Sequence, residues 1–282
     1  MNKFDLLQST LRSYGSCLVA YSGGVDSVFL AYAAKLALGN RSLAVIADSP
    51  SLPRRELEEA VKIAAQFEIP LRVIQTSEFK NDAYLSNPVN RCYFCKHELF
   101  SELADLARCE QFAVIAYGEN ASDAGDFRPG VKAAEEFQVR APLKEVGLSK
   151  EEIRRFSAQF GLPTADKPQM ACLSSRIPHG EPVSREKLSM VEQAENILRD
   201  LGFYDVRVRH HELPSAAEPA CLARIEVGAP ELSRFLSADC ATQVSTALKN
   251  IGYRHVTLDL LGYRRGNLNS FPKSPAPAEV ST

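Results

Sequence analysis

Four short apolar runs separated by helical patterns constrain the first half of this chain more than any other feature. "CLVAY" at 17–21, "LAVIA" at 43–47, "LRVI" at 71–74 and "FAVIAYG" at 112–118 read as strands, while 26–38, 53–67 and 95–107 read as helices, the first ended by Gly39 and Asn40. Strand and helix in alternation need crossover connections, and crossovers give a parallel sheet with helices on both faces. The expected class is therefore α/β. Ligands of such sheets bind beyond the carboxyl ends of the strands, where the segments after Tyr21, Ala47 and Tyr117 fall.

The rest of the chain is less regular. Ser149 and Glu152 form a capping box opening a helix over 150–160, which Gly161 ends. "LPTADKPQMACLSSRIPHGEPVS" at 162–184 has no period and is rich in proline and polar residues; long irregular loops inside folded chains are often functional. An amphipathic helix over 184–201 and strands over 204–210, 222–227 and 255–260 then read as a small α+β domain. The expected division is a nucleotide-binding domain at 1–165, a cysteine-bearing loop at 166–183, the α+β domain at 184–268 and a disordered tail at 269–282. A net charge of −2 argues against a basic nucleic-acid footprint. No apolar run reaches the roughly 18 residues of a membrane span. The first residues lack a secretory signal, and seven unevenly spaced cysteines do not read as a disulfide framework, so the expected location is cytoplasmic.

The chemistry begins at "AYSGGVDS", 20–27, directly after the first strand. Ser22, Gly23, Gly24, Val25, Asp26 and Ser27 lie between strand and helix, so successive backbone N–H groups point into one concavity at a helix N-terminus, a ready anion site. Gly-Gly alone would be an ordinary turn; the full string in this context argues for a phosphate loop. It has no lysine, unlike the loops that handle a terminal phosphate. Hydroxyls from Ser22 and Ser27 suit departing pyrophosphate, with Asp26 holding Mg²⁺. The string resembles the PP-loop of the ATP pyrophosphatases, adenine nucleotide alpha hydrolase-like proteins that attach AMP to an oxygen and release pyrophosphate. That resemblance implies ATP as co-substrate and places Ala20, Ala47, Ser49 and Gly118 beside the nucleotide.

Cys92 and Cys95 are separated by two residues in "NRCYFCK", and Cys172 lies in the irregular loop; Arg91, Lys96 and Arg176 are cations that could stabilise their thiolates. Cys17, Cys109, Cys221 and Cys240 read as small buried hydrophobes. A CxxC can be a redox pair, half a zinc site or chance, and three cysteines can bind three irons of a 4Fe–4S cluster.

"NPVNRCYFCK", "GENASDAGDFRPG", "APLKEVGLSKEEIR" and "ACLSSRIPHGEPVS" together with the glycine loop resemble the LarE family, over about 10–267. The resemblance implies an ATP-dependent sulfur transferase of nickel-pincer nucleotide synthesis. It would adenylate a carboxylate of pyridinium-3,5-biscarboxylic acid mononucleotide and replace AMP by sulfur, as a homo-oligomer, a hexamer in that family. Cys172 matches the cysteine that gives up its own sulfur and becomes dehydroalanine in the single-cysteine form. Cys92 and Cys95 match the three-cysteine form, in which a 4Fe–4S cluster carries the sulfide; the CxxC favours that form.

A substrate with a phosphate and two carboxylates needs arginines. Arg207 and Arg209 share one face of a strand, and Arg176 and Arg264 (or Arg265) are further candidates, though any one of them alone reads as solvated surface. Glu226 and Asp259 are either metal ligands or exposed residues. His210, His211 and His255 have no compelling spacing. Asn120, Ser122, Asp123 and Asp126 lie in a polar loop that could close over nucleotide. Two other classes stay open: a tRNA thiolase with the same loop, which the charge balance disfavours, and a protein that only binds nucleotide.

Overall fold

The structure is a computed structural model and describes residues 2–123, 130–168, 171–213 and 220–264. Asp126, Arg265 and the tail 269–282 lie outside the described residues. The chain divides into two compact units, Met1–Ser174 and Ser175–Thr282. The division falls inside the proline-rich segment, two residues after Cys172.

The first unit contains, in order, α1 (Lys3–Ser13), β1 (Cys17–Ala20), α2 (Val25–Leu38), β2 (Ser42–Asp48), α3 (Arg54–Gln66), β3 (Leu71–Gln75), α4 (Asp82–Leu85), α5 (Arg91–Glu110), β4 (Val114–Tyr117), α6 (Gly130–Glu136), α7 (Pro142–Glu145) and α8 (Lys150–Gln159). The four strands run parallel in the order β3-β2-β1-β4. The α/β expectation is borne out by this sheet. Alternation along β1 explains why both faces need helices. Cys17 and Val19 join an apolar cluster with Leu7 and Leu11 of α1, Phe29 of α2, Ile63 of α3 and Ile153 of α8. Leu18 and Ala20 point the other way, into a cluster with Phe100 and Leu103 of α5 and Ala133 of α6.

Helices α1, α4, α6 and α7 have no counterpart in the sequence expectation, and α5 begins elsewhere than expected. The N-terminal segment, for which no element is expected, forms α1, opened by a capping box between Asn2 and Asp5 and held by the buried Leu7 and Leu11. The expected helix at 95–107 begins four residues sooner, at Arg91. Arg91 in its first turn is buried against Asn87 and the Ser174 carbonyl, which interrupts the apolar periodicity there. The capping box at Ser149 and Glu152 is present as expected.

The second unit contains α9 (Arg185–Asp200), β5 (Val206–Leu213), β6 (Ala220–Val227), α10 (Ala238–Ile251) and β7 (His255–Leu258). β5 pairs antiparallel with β6, and β6 parallel with β7, so α10 is the crossover between the last two. Ala194 and Leu198 of α9, Val244 and Leu248 of α10 and the inward residues Val206, Val208 and Ile225 form its core.

β1 is the strand at which direction reverses: β2 and β3 lie to one side, β4 to the other. The crevice beyond its carboxyl end is therefore the expected ligand position, and the turn into α2 is tight there. Gly23 has φ +72, and a Cβ on it would come within 2.7 Å of the Ala60 Cβ on α3. Replacing Gly23 with Ala is expected to cost about 1–3 kcal/mol, the range for a strained backbone position, read as a lowered urea midpoint. An unchanged midpoint would show that the loop does not need this conformation.

Candidate active site

The expected nucleotide residues come together at the carboxyl edge of the sheet. Ala20 ends β1, Ala47 lies in β2 with Ser49 directly after it, and Gly118 follows β4. Gly118 approaches closely: a Cβ there would stand 3.0 Å from the Ser27 nitrogen and 3.1 Å from the Asp26 Cβ. The turn is fixed by its own hydroxyls. The Ser22 N–H donates to Ser27 Oγ at 3.1 Å, the two hydroxyls are 3.0 Å apart, and Ser27 Oγ donates to the Gly24 carbonyl at 3.0 Å. Gly24 is the N-cap of α2 and supplies no side-chain cap. The start of a 14-residue helix thus keeps first-turn donors for an anion.

The loop carries no lysine, but the fold brings one. Lys150, the first residue of α8, lies 2.6 Å from Asp26 Oδ2. Its backbone N–H donates to Ser122 Oγ at 3.0 Å, and the Ser122 N–H donates to Asn120 Oδ1 at 2.9 Å. The polar loop after β4 is therefore tied to the N-terminus of α8. Sequence reasoning missed Lys150; the capping box places it at a helix start, but nothing local pairs it with Asp26. The segment after β2 is held by Arg54, which bonds Asp48 and donates to the carbonyls of Ser49 at 2.6 Å and Leu52 at 2.8 Å. Burial would raise the Asp48 carboxyl; bonds from Arg54 and Gln75 outweigh this and keep it low. One carboxylate, two hydroxyls, a lysine and open amides fit a Mg²⁺-bound polyphosphate. A groove of about 340 Å³ lined by Gly15, Arg41, Glu110 and Phe112 opens instead at the amino ends of the strands, the end that such sheets do not use for ligands.

The three candidate cysteines lie in the first unit, near enough for their charges to act on one another. Cys92 and Cys95 occupy the first two turns of α5, three residues apart and so on one face. Cys92 is exposed as a residue and Cys95 half-buried; desolvation by the surrounding protein still raises the Cys92 thiol first and Cys172 next, with Arg91 and Lys96 acting in the opposite direction. Burial pushes the Cys95 thiol up to about 12, and Cys172, Glu78 and Cys92 add to the effect. Cys172 is half-buried in its loop. That loop is seated by a triangle of hydroxyls: Ser174 Oγ lies 2.8 Å from both Ser51 Oγ and Tyr84 OH. The Leu173 N–H donates to the Ser51 carbonyl at 2.8 Å, and Arg91 donates to the Ser174 carbonyl at 3.0 Å and to Asn87. Among the described residues no three His, Cys, Asp or Glu side chains are placed to hold a single metal ion. Three neighbouring thiols flanked by two cations do match the donor set of a three-cysteine cluster, whose ligands each bind a separate iron. Of the remaining cysteines only Cys17 is buried; Cys109 is exposed, Cys221 and Cys240 are intermediate, and the expectation of four buried thiols is corrected there.

Three of the four candidate arginines of the second unit, Arg176, Arg207 and Arg209, are buried rather than solvated. Arg176 is 0% exposed and paired with Glu195, also 0% exposed, at 2.8 Å and 3.1 Å. Arg199 reaches the same carboxylate at 3.2 Å. Burial raises Glu195, and the charges of Arg176, Arg199 and Arg207 outweigh it. Arg207 and Arg209 are buried on one face of β5 as expected. Arg207 stands 3.5 Å from Asp205 and 4.7 Å from the Tyr263 ring centre, and burial and Arg176 hold it below the usual arginine range. Arg209 is 2.7 Å from Glu226 and donates to the Ser175 carbonyl at 2.9 Å. Glu226 is fully buried rather than exposed, and Arg224 joins it to Asp259. Arg264 is exposed. His210 is buried and lowered to about 4 by desolvation, so it is neutral at ordinary pH.

No family model matches the chain. It is 41% identical over 268 residues to the uncharacterised protein slr1717 of Synechocystis, covering 95% of this chain and 97% of that one. It is 31% identical over 264 residues to the pyridinium-3,5-bisthiocarboxylic acid mononucleotide synthase of Lactiplantibacillus plantarum, a LarE protein, covering 93% of this chain and 92% of that one. The chain belongs to the LarE family. A more distant relative, uncharacterised MJ0830 of Methanocaldococcus jannaschii, is 27% identical over 247 residues, 88% of this chain and 90% of that one. In this LarE-family chain, among the described residues, no helix is long and apolar enough to cross a membrane.

A thiol raised to about 12 is neutral at pH 8 and gains thiolate only as pH climbs toward that value. Alkylation of Cys95 in the metal-free protein, followed by peptide mass spectrometry, is therefore expected to speed up about tenfold per pH unit from 7 to 10 without a plateau. A plateau below pH 9 would contradict the burial of this thiol.

Proposed function

We propose that this chain is an ATP-dependent sulfur transferase that adenylates carboxylates of a pyridinium-3,5-dicarboxylate mononucleotide and converts them to thiocarboxylates, releasing AMP and pyrophosphate. The observation that carries the proposal is the presence, in one compact unit, of an uncapped glycine loop with Asp26 and Lys150 and a group of three thiols that includes Cys172. The name of the L. plantarum relative supplies the substrate class.

The loop amides with Ser22 and Ser27 would hold the β- and γ-phosphates. Asp26 would hold Mg²⁺, and Lys150, released from that carboxylate, would follow the charge onto the phosphates. A substrate carboxylate oxygen attacks the α-phosphorus, and the bond to pyrophosphate breaks. Sulfur then attacks the activated carbon and AMP leaves; AMP is a good leaving group where a carboxylate oxygen is a poor one. If the sulfur is that of Cys172, the thioester forms on the protein; a base then takes the Cα proton, the Cβ–S bond breaks, the sulfur leaves with the substrate as a thiocarboxylate and residue 172 becomes dehydroalanine. Cys92, Cys95 and Cys172 would hold a 4Fe–4S cluster, which when bound supplies the sulfide and spares Cys172; their proximity favours this form. Arg207, Arg209 and Arg264 would meet the substrate's anionic groups, while Arg176, sealed against Glu195, positions the carboxylate that Arg207 also faces. Three guanidiniums around one glutamate leave a positive excess that suits a phosphate.

Cys172→Ala is expected to keep pyrophosphate release with ATP and the pyridinium dicarboxylate but to abolish thiolated product; product from this variant would remove Cys172 from the chemistry. A loss of about 34 Da from the intact chain after turnover marks sacrifice of a cysteine, whereas unchanged mass with bound iron marks the cluster form. Asp26→Asn and Lys150→Ala are each expected to lower pyrophosphate release about a hundredfold or more, the scale for losing one positioned charge-stabilising group. Wild-type rates in both would place the phosphates elsewhere.

A further inference from the structure

Glu78 is a charged group that the mechanism above does not use. It opens the short 3₁₀ turn Glu78–Lys80, which packs against α4 and α5. It is 2% exposed, and neither carboxylate oxygen has a hydrogen-bond partner among the described residues. Taking a carboxylate out of water without a donor or a cation is strongly unfavourable. Chains retain such groups where a ligand completes them, and buried charges are ordinarily paired or bound to metal.

The residues on either side of Glu78 touch both elements that carry the thiols. The Ser77 N–H donates to Glu98 Oε1 at 3.0 Å, and Glu98 lies on α5 at the helical spacing that continues the face of Cys92 and Cys95. On the other side, the Phe79 ring packs on Tyr84, 5.5 Å between centres, and Tyr84 OH holds Ser174 of the Cys172 loop. Glu78 therefore lies on a buried turn whose flanking residues touch the helix bearing two of the thiols and the tyrosine that seats the third. Its charge is felt at the Cys95 thiol.

We propose that Glu78 is the fourth protein ligand of the three-cysteine site, bound to the iron that Cys92, Cys95 and Cys172 leave open, and that it yields this position to an incoming hydrosulfide. This rests on the cluster reading. A carboxylate is a harder ligand than a thiolate and binds this iron less firmly, so a soft sulfur donor replaces it. In the exchange an iron–oxygen bond breaks, an iron–sulfur bond forms, the carboxylate departs with its charge, and no electron is transferred. A fourth cysteine would have closed the position.

The test is anaerobic reconstitution of the full chain with ferrous iron and sulfide, followed by iron analysis, Mössbauer spectroscopy and electron paramagnetic resonance after mild oxidation. Wild type is expected to take up four irons, as a cubane requires, with one iron distinct from the others. Glu78→Gln is expected to bind the cluster through its thiolates but to pass into the three-iron form several-fold faster. Glu78→Cys is expected to pass into it more slowly than wild type. Should Glu78→Gln not fold by circular dichroism, Glu78→Asp, with a shorter reach, is expected to fall between wild type and a chain lacking the carboxylate. Equal rates and identical Mössbauer spectra in wild type and the variants would overturn the role of Glu78 and leave the cluster reading intact. Failure of wild type to bind iron would overturn both.

Discussion

The double pairing of β1 is the constraint on which the first unit depends. A strand hydrogen-bonded in parallel on both sides and buried along its whole length has no free edge and no solvent face. Every side chain on it must find an apolar partner above or below, which fixes α1, α2, α3 and α8 on one face and α5 and α6 on the other. The same pairing leaves β1 with neighbours reached by crossovers of opposite direction. The gap between those crossovers is where Gly23, Gly24 and Asp26 emerge. Fold and site share one cause.

The second unit is organised by charge as much as by apolar packing. Glu195 and Glu226 are both sealed from solvent and each is met by two arginines or more. Buried ion pairs add little net stability compared with apolar residues of similar volume, but removing one partner strands the other at a cost of about 3–5 kcal/mol. Such an arrangement is retained for what it positions. Here it fixes Arg207 and Arg209 in one orientation on β5, against the entropy that a long side chain would otherwise keep.

Local signals in the sequence reached far into this structure. The four strands of the sheet, the loop between β1 and α2, and the Ser149 capping box were legible because each rests on residues a few positions apart. The shared face of Arg207 and Arg209 follows from the period of a strand. Long-range pairings were not legible: Lys150 stands 124 positions from Asp26, and Ser174 stands 90 from Tyr84. The first turn of α5 hid its helix because the buried Arg91 faces polar neighbours and breaks the apolar rhythm. Burial of Arg176, Arg207 and Glu226 was invisible for a related reason. Charged residues read as surface until their partners are known, and those partners come from other strands and helices.

The amino-terminal turn bears on the site from a distance. Lys3 donates to the Gly147 carbonyl and to Glu152, both at 2.7 Å, and Glu152 in turn caps the helix whose first residue grips Asp26. The opening residues of the polypeptide are thus riveted a few bonds from the phosphate loop. Loss of the Lys3 ammonium would loosen the cap that presents Lys150 to the loop, so a residue far from the nucleotide in the sequence shares in holding it.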